Sequence, residues 1–543
     1  MRRAKTLRVL AATLLVGLAG GTVGLAHAAD PAVDPGPTPK AQCGPGSKPE
    51  TAEQGRVPAA DFANGRAAQG YTCNLQLIGR DGSNAGFRVY RYIDAAGHEC
   101  GFYDSGPLLP FQVFLTSPGH TAGVFVLDMH DPTHPVVTDT LTTPAMLSPH
   151  ESLNLNVKRG LLAADMGNAL TLPGWVDIYD VSQDCLHPTL KSSTPLGILG
   201  HEGTFSPDGN TFWVSSTGGH TITALDVSNP SLPVPMWLGT QWVAHGMNVS
   251  DDGNRLYVAD IGDAGPGAGL TILDVSQIQA RKQNPQVGVV SHSSWPEVSI
   301  PQTAIPVSIG GHPYLVEVDE FSRLNYPGGP LDRSAPVGAA RIIDIADDTH
   351  PRVVSNLRLQ VNMPANEQGD EKNDPGGTPV IGYTAHYCGV PSRVEPGIVA
   401  CGFLSSGMRV FDIRDPLHPK ELAYANFPIT AQRGPTPPAW AASAPAFVPE
   451  RGEIWYSDGF SGLYAVRFLN GVWPFTTAAA GAAKQTSVLG ASTSRTAPAA
   501  NPAAAPAAQL PVTGGEVPVA AAVAALVSGL LLRRVRRRVA RPV

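Results

Sequence analysis

Four of the fifteen histidines, His150, His201, His245 and His386, stand in similar settings, each at the head of a short, mostly apolar segment. Neutral imidazoles that converge on one point are what a transition ion needs, so the set predicts a site for copper, zinc or iron if the fold brings them together. A second set, Asp104, Asp165, Asp260, Asp319 and Asp458, closes the apolar run that follows such a segment. The alternative is structural: each histidine bonds a neighbouring strand and each aspartate caps the next turn. The choice depends on the elements that carry these residues.

No familiar catalytic signature accompanies them. The chain has no Gly-x-Ser-x-Gly, no His-Glu-x-x-His, no phosphate-binding Gly-Lys-Ser/Thr and no dinucleotide fingerprint. Asp251-Asp252-Gly253-Asn254 and Ser206-Pro207-Asp208-Gly209-Asn210 offer oxygens to calcium, but neither has EF-hand spacing and both read as hairpin turns. His130, His134, His187, His350 and His418 fall in polar turns, where a loop hydrogen bond suffices to explain them.

The positioning elements form a repeat. Leu225-Asp226-Val227-Ser228-Asn229-Pro230 recurs as Leu127-Asp128-Met129-His130-Asp131-Pro132, Tyr179-Asp180-Val181-Ser182, Leu273-Asp274-Val275-Ser276, Ile343-Asp344-Ile345-Ala346 and Phe411-Asp412-Ile413-Arg414-Asp415-Pro416. Each copy is an apolar strand, an Asp-led turn and another apolar strand. A His-led hairpin precedes most copies, which makes a four-stranded antiparallel unit of roughly 40–60 residues, the size of a propeller blade.

The expected fold is therefore all-β, a seven-bladed β-propeller, although six or eight blades also fit. Blades are expected near 71–146, 148–198, 199–241, 242–295, 296–359, 360–430 and 431–473. The last lacks an outer strand of its own, which predicts closure by strands shared between the termini. First strands line a propeller's axis, so the four histidines are expected there from blades 2, 3, 4 and 6. Asn74, Pro306 and Ala444 or Pro445 take the place in blades 1, 5 and 7, with the five aspartates on the same face. Glu151 and Glu202 are expected to point at the next blade or at solvent.

The Asp-[Val/Ile]-Ser-x-Pro phrase with its His-led inner strand resembles the LVIVD-repeat propellers of bacterial surfaces over about residues 71–470. The resemblance implies the fold and no particular activity. Blades 5 and 7 depart from the His-led pattern, so no complete ring of histidines is expected.

The ends read as addresses. Met1–Ala28 has a basic start, an apolar run and Ala26-His27-Ala28, the pattern of a cleaved signal peptide. Leu510-Pro511-Val512-Thr513-Gly514, an apolar run over 517–532 and six arginines resemble an LPxTG sorting signal, with sortase joining Thr513 to peptidoglycan. A Pro/Gly-rich arm fills 29–70, and 474–509 is an Ala/Pro/Thr-rich linker suited to crossing a cell wall. The termini are thus expected to be disordered apart from a short hydrophobic helix near the C-terminus, and the protein to sit at the surface of a Gram-positive cell.

The formal charge of −7 includes basic ends of +4 (1–28) and +5 (515–543), leaving −16 between them, which argues against a phosphate-binding surface for nucleic acid. The 58 Gly and 51 Pro exclude a helix bundle, and 43% hydrophobic residues exclude global disorder. Two functions remain. One is a surface binding or adhesion module for an extracellular protein or glycan, with specificity in long loops such as Pro327–Ala335 and Asn366–Pro375. The other is an extracellular metal-dependent oxidase or hydrolase with its site at the axis.

Six cysteines in an exported chain predict disulfides. The repeat places Cys388 opposite Cys401 and suggests Cys73 with Cys100, which leaves Cys43 with Cys185. Free buried thiols are the alternative.

Overall fold

The computed structural model describes residues 36–106, 122–166, 173–262, 267–321, 337–367, 382–427 and 439–475. The proposed signal peptide, most of the linker, the sorting signal and its apolar run, and the loop 327–335 lie outside the described residues, as does 368–375 of the second loop. Among the described residues no helix is long and apolar enough to cross a membrane.

Seven antiparallel sheets form a β-propeller. Blade 1 comprises Val89–Ile93, Glu99–Asp104, Val124–Asp128 and Val136–Leu141, and blade 2 Asn154–Asn156, Leu161–Asp165, Val176–Asp180 and Thr189–Thr194. Blade 3 comprises Glu202–Phe205, Thr211–Ser216, Thr221–Asp226 and Val234–Gly239, and blade 4 Ala244–Val249, Arg255–Asp260, Gly269–Asp274 and Gly288–Ser293. Blade 5 comprises Ile300–Ile309, His312–Glu320, Ala340–Asp344 and Arg352–Leu357. Blade 6 comprises Ala385–Gly389, Ile398–Phe403, Gly407–Asp412 and Lys420–Asn426, and blade 7 opens with Ala446–Val448, Glu453–Asp458 and Gly462–Phe468.

The recurring Asp explains itself locally. Its carboxylate accepts the backbone N–H two residues on, at 2.9 Å from Ser182, Ser228, Ser276 and Ala346 to Asp180, Asp226, Asp274 and Asp344. This Asx turn sends the chain from third to fourth strand. Middle strands such as Leu161–Asp165 and Thr211–Ser216 are wholly buried, whereas fourth strands such as Val136–Leu141 are largely open. Blades seal to one another through apolar clusters, for example Ile342, Leu357, Val399, Phe403 and Phe411 between blades 5 and 6.

Closure is by strand exchange, and it corrects the expected start of blade 1. Leu75–Asp81 pairs with Gly462–Phe468 and completes blade 7, while Tyr71–Cys73 adds a fifth strand to blade 6. Its place beside the third strand of blade 7 makes Leu75–Asp81 the fourth, and like every pairing of third with fourth strand it carries a register shift, here at Leu77/Gly79. Asn74 is therefore not at the axis. It joins the two closing strands in the left-handed region (φ 56°), which Asn tolerates, and its side chain bonds Gly44 N, Gln42 O and Leu422 O at 2.9 Å.

The arm from residue 36 is packed rather than disordered. Buried Arg409 pairs with Glu50 of the arm and with Glu421 (3.0 Å), its guanidinium lies 4.4 Å above the Tyr424 ring, and Thr38 N donates to Arg358 O (2.7 Å).

All six cysteines are bridged. Cys388 pairs with Cys401, opposite it in register. The other two pairings are corrected to Cys43–Cys73 and Cys100–Cys185. The misplacement of Cys73 in blade 1 caused both errors: it lies in the strand added to blade 6, beside the arm that carries Cys43.

Candidate metal centre

The structure brings His150, His201, His245 and His386 to the axis as a broken ring. Centroids of His150 and His201, and of His201 and His245, are 4.8 Å apart. Phe87 of the segment entering blade 1, not Asn74, stands between His150 (4.9 Å) and His386 (4.8 Å). Pro306 lies mid-strand opposite Leu315, and Ala444 pairs with Arg88, so neither supplies a donor.

Two carboxylates fill the ring. Glu151, expected to face a neighbouring blade or solvent, turns inward: its Oε2 is 2.9 Å from His201 Nε2, 3.5 Å from His245 Nε2 and 3.9 Å from His150 Nδ1, and its Oε1 is 3.1 Å from His386 Nε2. Glu320 reaches in from the second strand of blade 5, with Oε1 3.3 Å from His245 Nε2 and Oε2 2.9 Å from His386 Nε2. Sequence reasoning missed Glu320 by stopping at Asp319. The available signal was a second acid ending a strand in the one His-lacking blade where such an acid occurs, since a carboxylate from strand two can replace an imidazole from strand one.

Second partners orient the two most buried imidazoles. His245 Nδ1 lies 2.8 Å from Pro301 O in blade 5, and His386 Nδ1 lies 3.0 Å from Ala442 O before blade 7. Each bond to the next blade directs Nε2 at the axis, as the outer partners of metal-bound histidines do. The structural and metal readings of these residues are thus compatible.

The electrostatics follow from this crowding. Burial works against the charge of His245 and His386, but Glu320 and Glu151 push them up to about 9 and about 10. Burial pushes His150 down to about 3, aided against Glu151 by the other imidazoles, so it offers a neutral nitrogen. Burial alone would raise Glu151, yet the imidazoles around it hold it well below the carboxylate range. His150 also holds a left-handed backbone (φ 54°), a conformation that costs an ordinary residue about 1–2 kcal/mol.

Below the ring lies a second polar layer. Glu202 pairs with Arg88 (2.7 Å) and accepts the Tyr387 hydroxyl (2.9 Å), and the Arg88 guanidinium lies 3.9 Å above the Tyr387 ring. Arg88 Nε also donates to Glu151 O at 3.2 Å. Gly246 makes room, because a Cβ there would meet Glu202 Oε2 at 1.8 Å and Gln302 O at 2.3 Å.

Four of the five aspartates serve their own blades. Asp260 accepts from Gly262 N and Thr271 Oγ1, Asp319 from Arg341 and Trp295, and Asp458 from Trp440 N, Phe460 N and Ser461 Oγ. Asp165 is buried without a hydrogen-bond partner, at the site where a Gly200 Cβ would stand 2.3 Å from its Oδ1. Asp104 accepts from Gly106 N at 3.0 Å, and burial pushes it up to about 7. An acid raised in the folded state favours folding below its unfolded pKa near 3.8, and that contribution is lost as pH rises through 7. Asp104→Asn is accordingly expected to stabilise the protein at pH 8 by on the order of 3 kcal/mol and to change little at pH 3.5, as read by urea unfolding at the two pH values.

The remaining turn residues behave locally. Asp208 and Asp252 accept the Ser206 and Ser250 hydroxyls, both at 2.6 Å, within their own hairpins. His134, His187, His350 and His418 bond the aspartate three residues back at 3.0–3.1 Å in exposed turns.

No family model matches the chain, and no curated protein matches it. Solved structures do. A chain of Kuenenia stuttgartiensis hydrazine synthase is 13% identical, with 72% of this chain and 97% of that one covered and a TM-score of 0.44. The Myceliophteria thermophila Cps50 (Swd1) β-propeller domain is 12% identical, with 72% and 98% covered and a TM-score of 0.44. The likeness is one of fold. At such identities it says nothing of activity, and the blade count rests on the strand pairing of this chain itself.

Proposed function

We propose that this protein is an exported β-propeller whose axis binds one divalent transition ion, as the centre of a metal-dependent enzyme or a metal-binding surface protein. The observation that carries this is the convergence of imidazoles and carboxylates from blades 2 to 6 in two triads that share Glu151, His150–Glu151–His201 and Glu151–Glu320–His386, each with donor atoms within 4.8 Å of one another, while His245 Nε2 lies 3.3 Å from Glu320 and 3.5 Å from Glu151. Donors bound about 2.0–2.1 Å from an ion lie about 3.0 Å apart as octahedral neighbours and about 3.4 Å apart in a tetrahedron. The spacings of 2.9–3.9 Å span both values. His201 Nε2 and Glu151 Oε2 are at contact distance and buried, yet neither has a hydrogen-bond partner, as befits two donors aimed at a shared point.

Charge selects the ion. Two carboxylates neutralise one divalent cation, and imidazole-rich sites suit zinc, copper or iron rather than magnesium or calcium. A bound ion would supply Lewis-acid or redox chemistry. The chain's contribution is to hold its donors rigidly, with His245 and His386 fixed by blade carbonyls. His150 and His201 retain 13% and 18% side-chain exposure against 4% for the other two, which leaves a side open to an incoming ligand.

The proposal of export and wall anchoring rests on the signal-peptide and LPxTG patterns and is supported by three disulfides, which persist in oxidising compartments. The propeller fold is compatible with an interaction module, and surface display would place the centre outside the cell. Full-length protein purified without a metal-affinity tag is expected to carry about one equivalent of copper, zinc or iron by elemental analysis. Replacing all four histidines with alanine should remove it. Wild-type protein that neither carries metal nor takes it up on dialysis would overturn the reading.

A further inference from the structure

We infer that the axis holds a second, independent site: a small organic carboxylate binds in the cavity on the far side of the Arg88–Glu202–Tyr387 layer. That cavity has a volume of about 70 Å³ and takes lining residues from all seven blades. Three arginines line it, Arg88, Arg91 and Arg393, and no Asp or Glu does. None of their carboxylate partners lines it: Glu202 for Arg88, Glu99 and Glu450 for Arg91, and Asp251 for Arg393. A cavity walled by cations with their counter-charges outside has a positive interior and favours an anion.

Arg393 gives the second observation. Only 3% exposed, it reaches from blade 6 to blade 4, where Nη1 donates to Val249 O (2.9 Å) and Asp251 (3.0 Å). Its Nε is buried in the same cavity wall without a hydrogen-bond partner. A buried guanidinium N–H left unpaired is costly, and an acceptor in the cavity would satisfy it. Asn154 and Asn248 line the same space and add neutral polar groups.

The rest of the wall sets the ligand class. Leu155, Phe205, Ile305 and Phe447 face the cavity, so its occupant needs an apolar body beside its charged head. The volume admits only a few heavy atoms, which suits a short-chain carboxylate better than a bulky or fully hydrated anion.

The test uses the full chain with acetate, butyrate, phosphate and chloride in calorimetric titration and thermal unfolding, before and after chelator treatment. Butyrate is expected to bind and raise Tm with or without metal, more tightly than acetate, while phosphate and chloride give no saturable signal. Arg393→Gln should weaken butyrate at least tenfold. Arg393→Lys, which keeps the charge but loses the fork, serves as a second variant and should also weaken it if Arg393→Gln fails to fold. Absence of butyrate binding, binding unaffected by either variant, or equal binding of phosphate or chloride would overturn the inference. Butyrate binding that vanishes on chelation would assign the anion to the metal centre instead and overturn it equally.

Discussion

Glu151→Ala is expected both to abolish metal binding and to lower the stability of the metal-free protein by about 3–5 kcal/mol, the usual cost of removing one partner from a buried ionic network. Glu151 is the residue that every axial histidine shares: its two oxygens lie 2.9–3.9 Å from all four imidazoles. Without it, His245 and His386 keep only Glu320 as a carboxylate partner. The sign with pH follows. Their pKa values rise from 6.5 to about 9 and about 10, so the stabilisation is fully present below pH 6.5 and is lost as pH climbs through 9 to 10. In chelated protein the gap between wild type and Glu151→Ala should therefore be widest near pH 6 and narrow above pH 10, by thermal unfolding. Glu151→Gln, which keeps the volume, should reproduce the metal loss. Unchanged metal content in both variants would remove Glu151 from the centre.

The parts of this architecture that were legible in the sequence are those made by neighbours in the chain. The Asp226–Ser228 turn and its relatives are two-residue hydrogen bonds, so they recur as a phrase and reveal the blades. The axial histidines were legible for the same reason, standing at one place in a repeating hairpin. What escaped was set by distant contacts. Tyr71–Cys73 and Leu75–Asp81 look like any pair of strands, and only partners some 350–390 residues away, Asn426 and Phe468 among them, assign them to blades 6 and 7. That single error moved Asn74 to the axis and mispaired four cysteines. Glu151 was misjudged because its direction depends on the turn at His150, whose positive φ a sequence does not announce. Glu320 escaped because its role arises from a histidine absent on the neighbouring strand.

Disruption of Cys100–Cys185 should destabilise the protein more than loss of either other bridge. In the chain-entropy account, closing loops of 85, 30 and 13 residues stabilises by about 4.6, 3.6 and 2.9 kcal/mol, which ranks Cys100–Cys185 above Cys43–Cys73 and Cys388–Cys401. Topology supports the same order. Cys388 and Cys401 face each other on paired strands of one blade, so the ladder already holds them together. Cys43–Cys73 ties the arm to the short strand that leads into the closing strand of blade 7, and Arg409 with Glu50 duplicates part of that tether. Cys100–Cys185 instead joins the second strand of blade 1 to the outer turn of blade 2, a seam held besides by side-chain packing and by three hydrogen bonds of 2.9 Å, from Cys185 N to Asp94, Ala95 N to Ser182 O and Thr138 Oγ1 to Leu186 O. The paired Ser variants of each bridge, compared by Tm under oxidising conditions, should fall in that order, with the Cys100–Cys185 pair also the most protease-sensitive. Equal losses for all three would show that the unfolded chain gains nothing from loop length and that the bridges act through local packing alone.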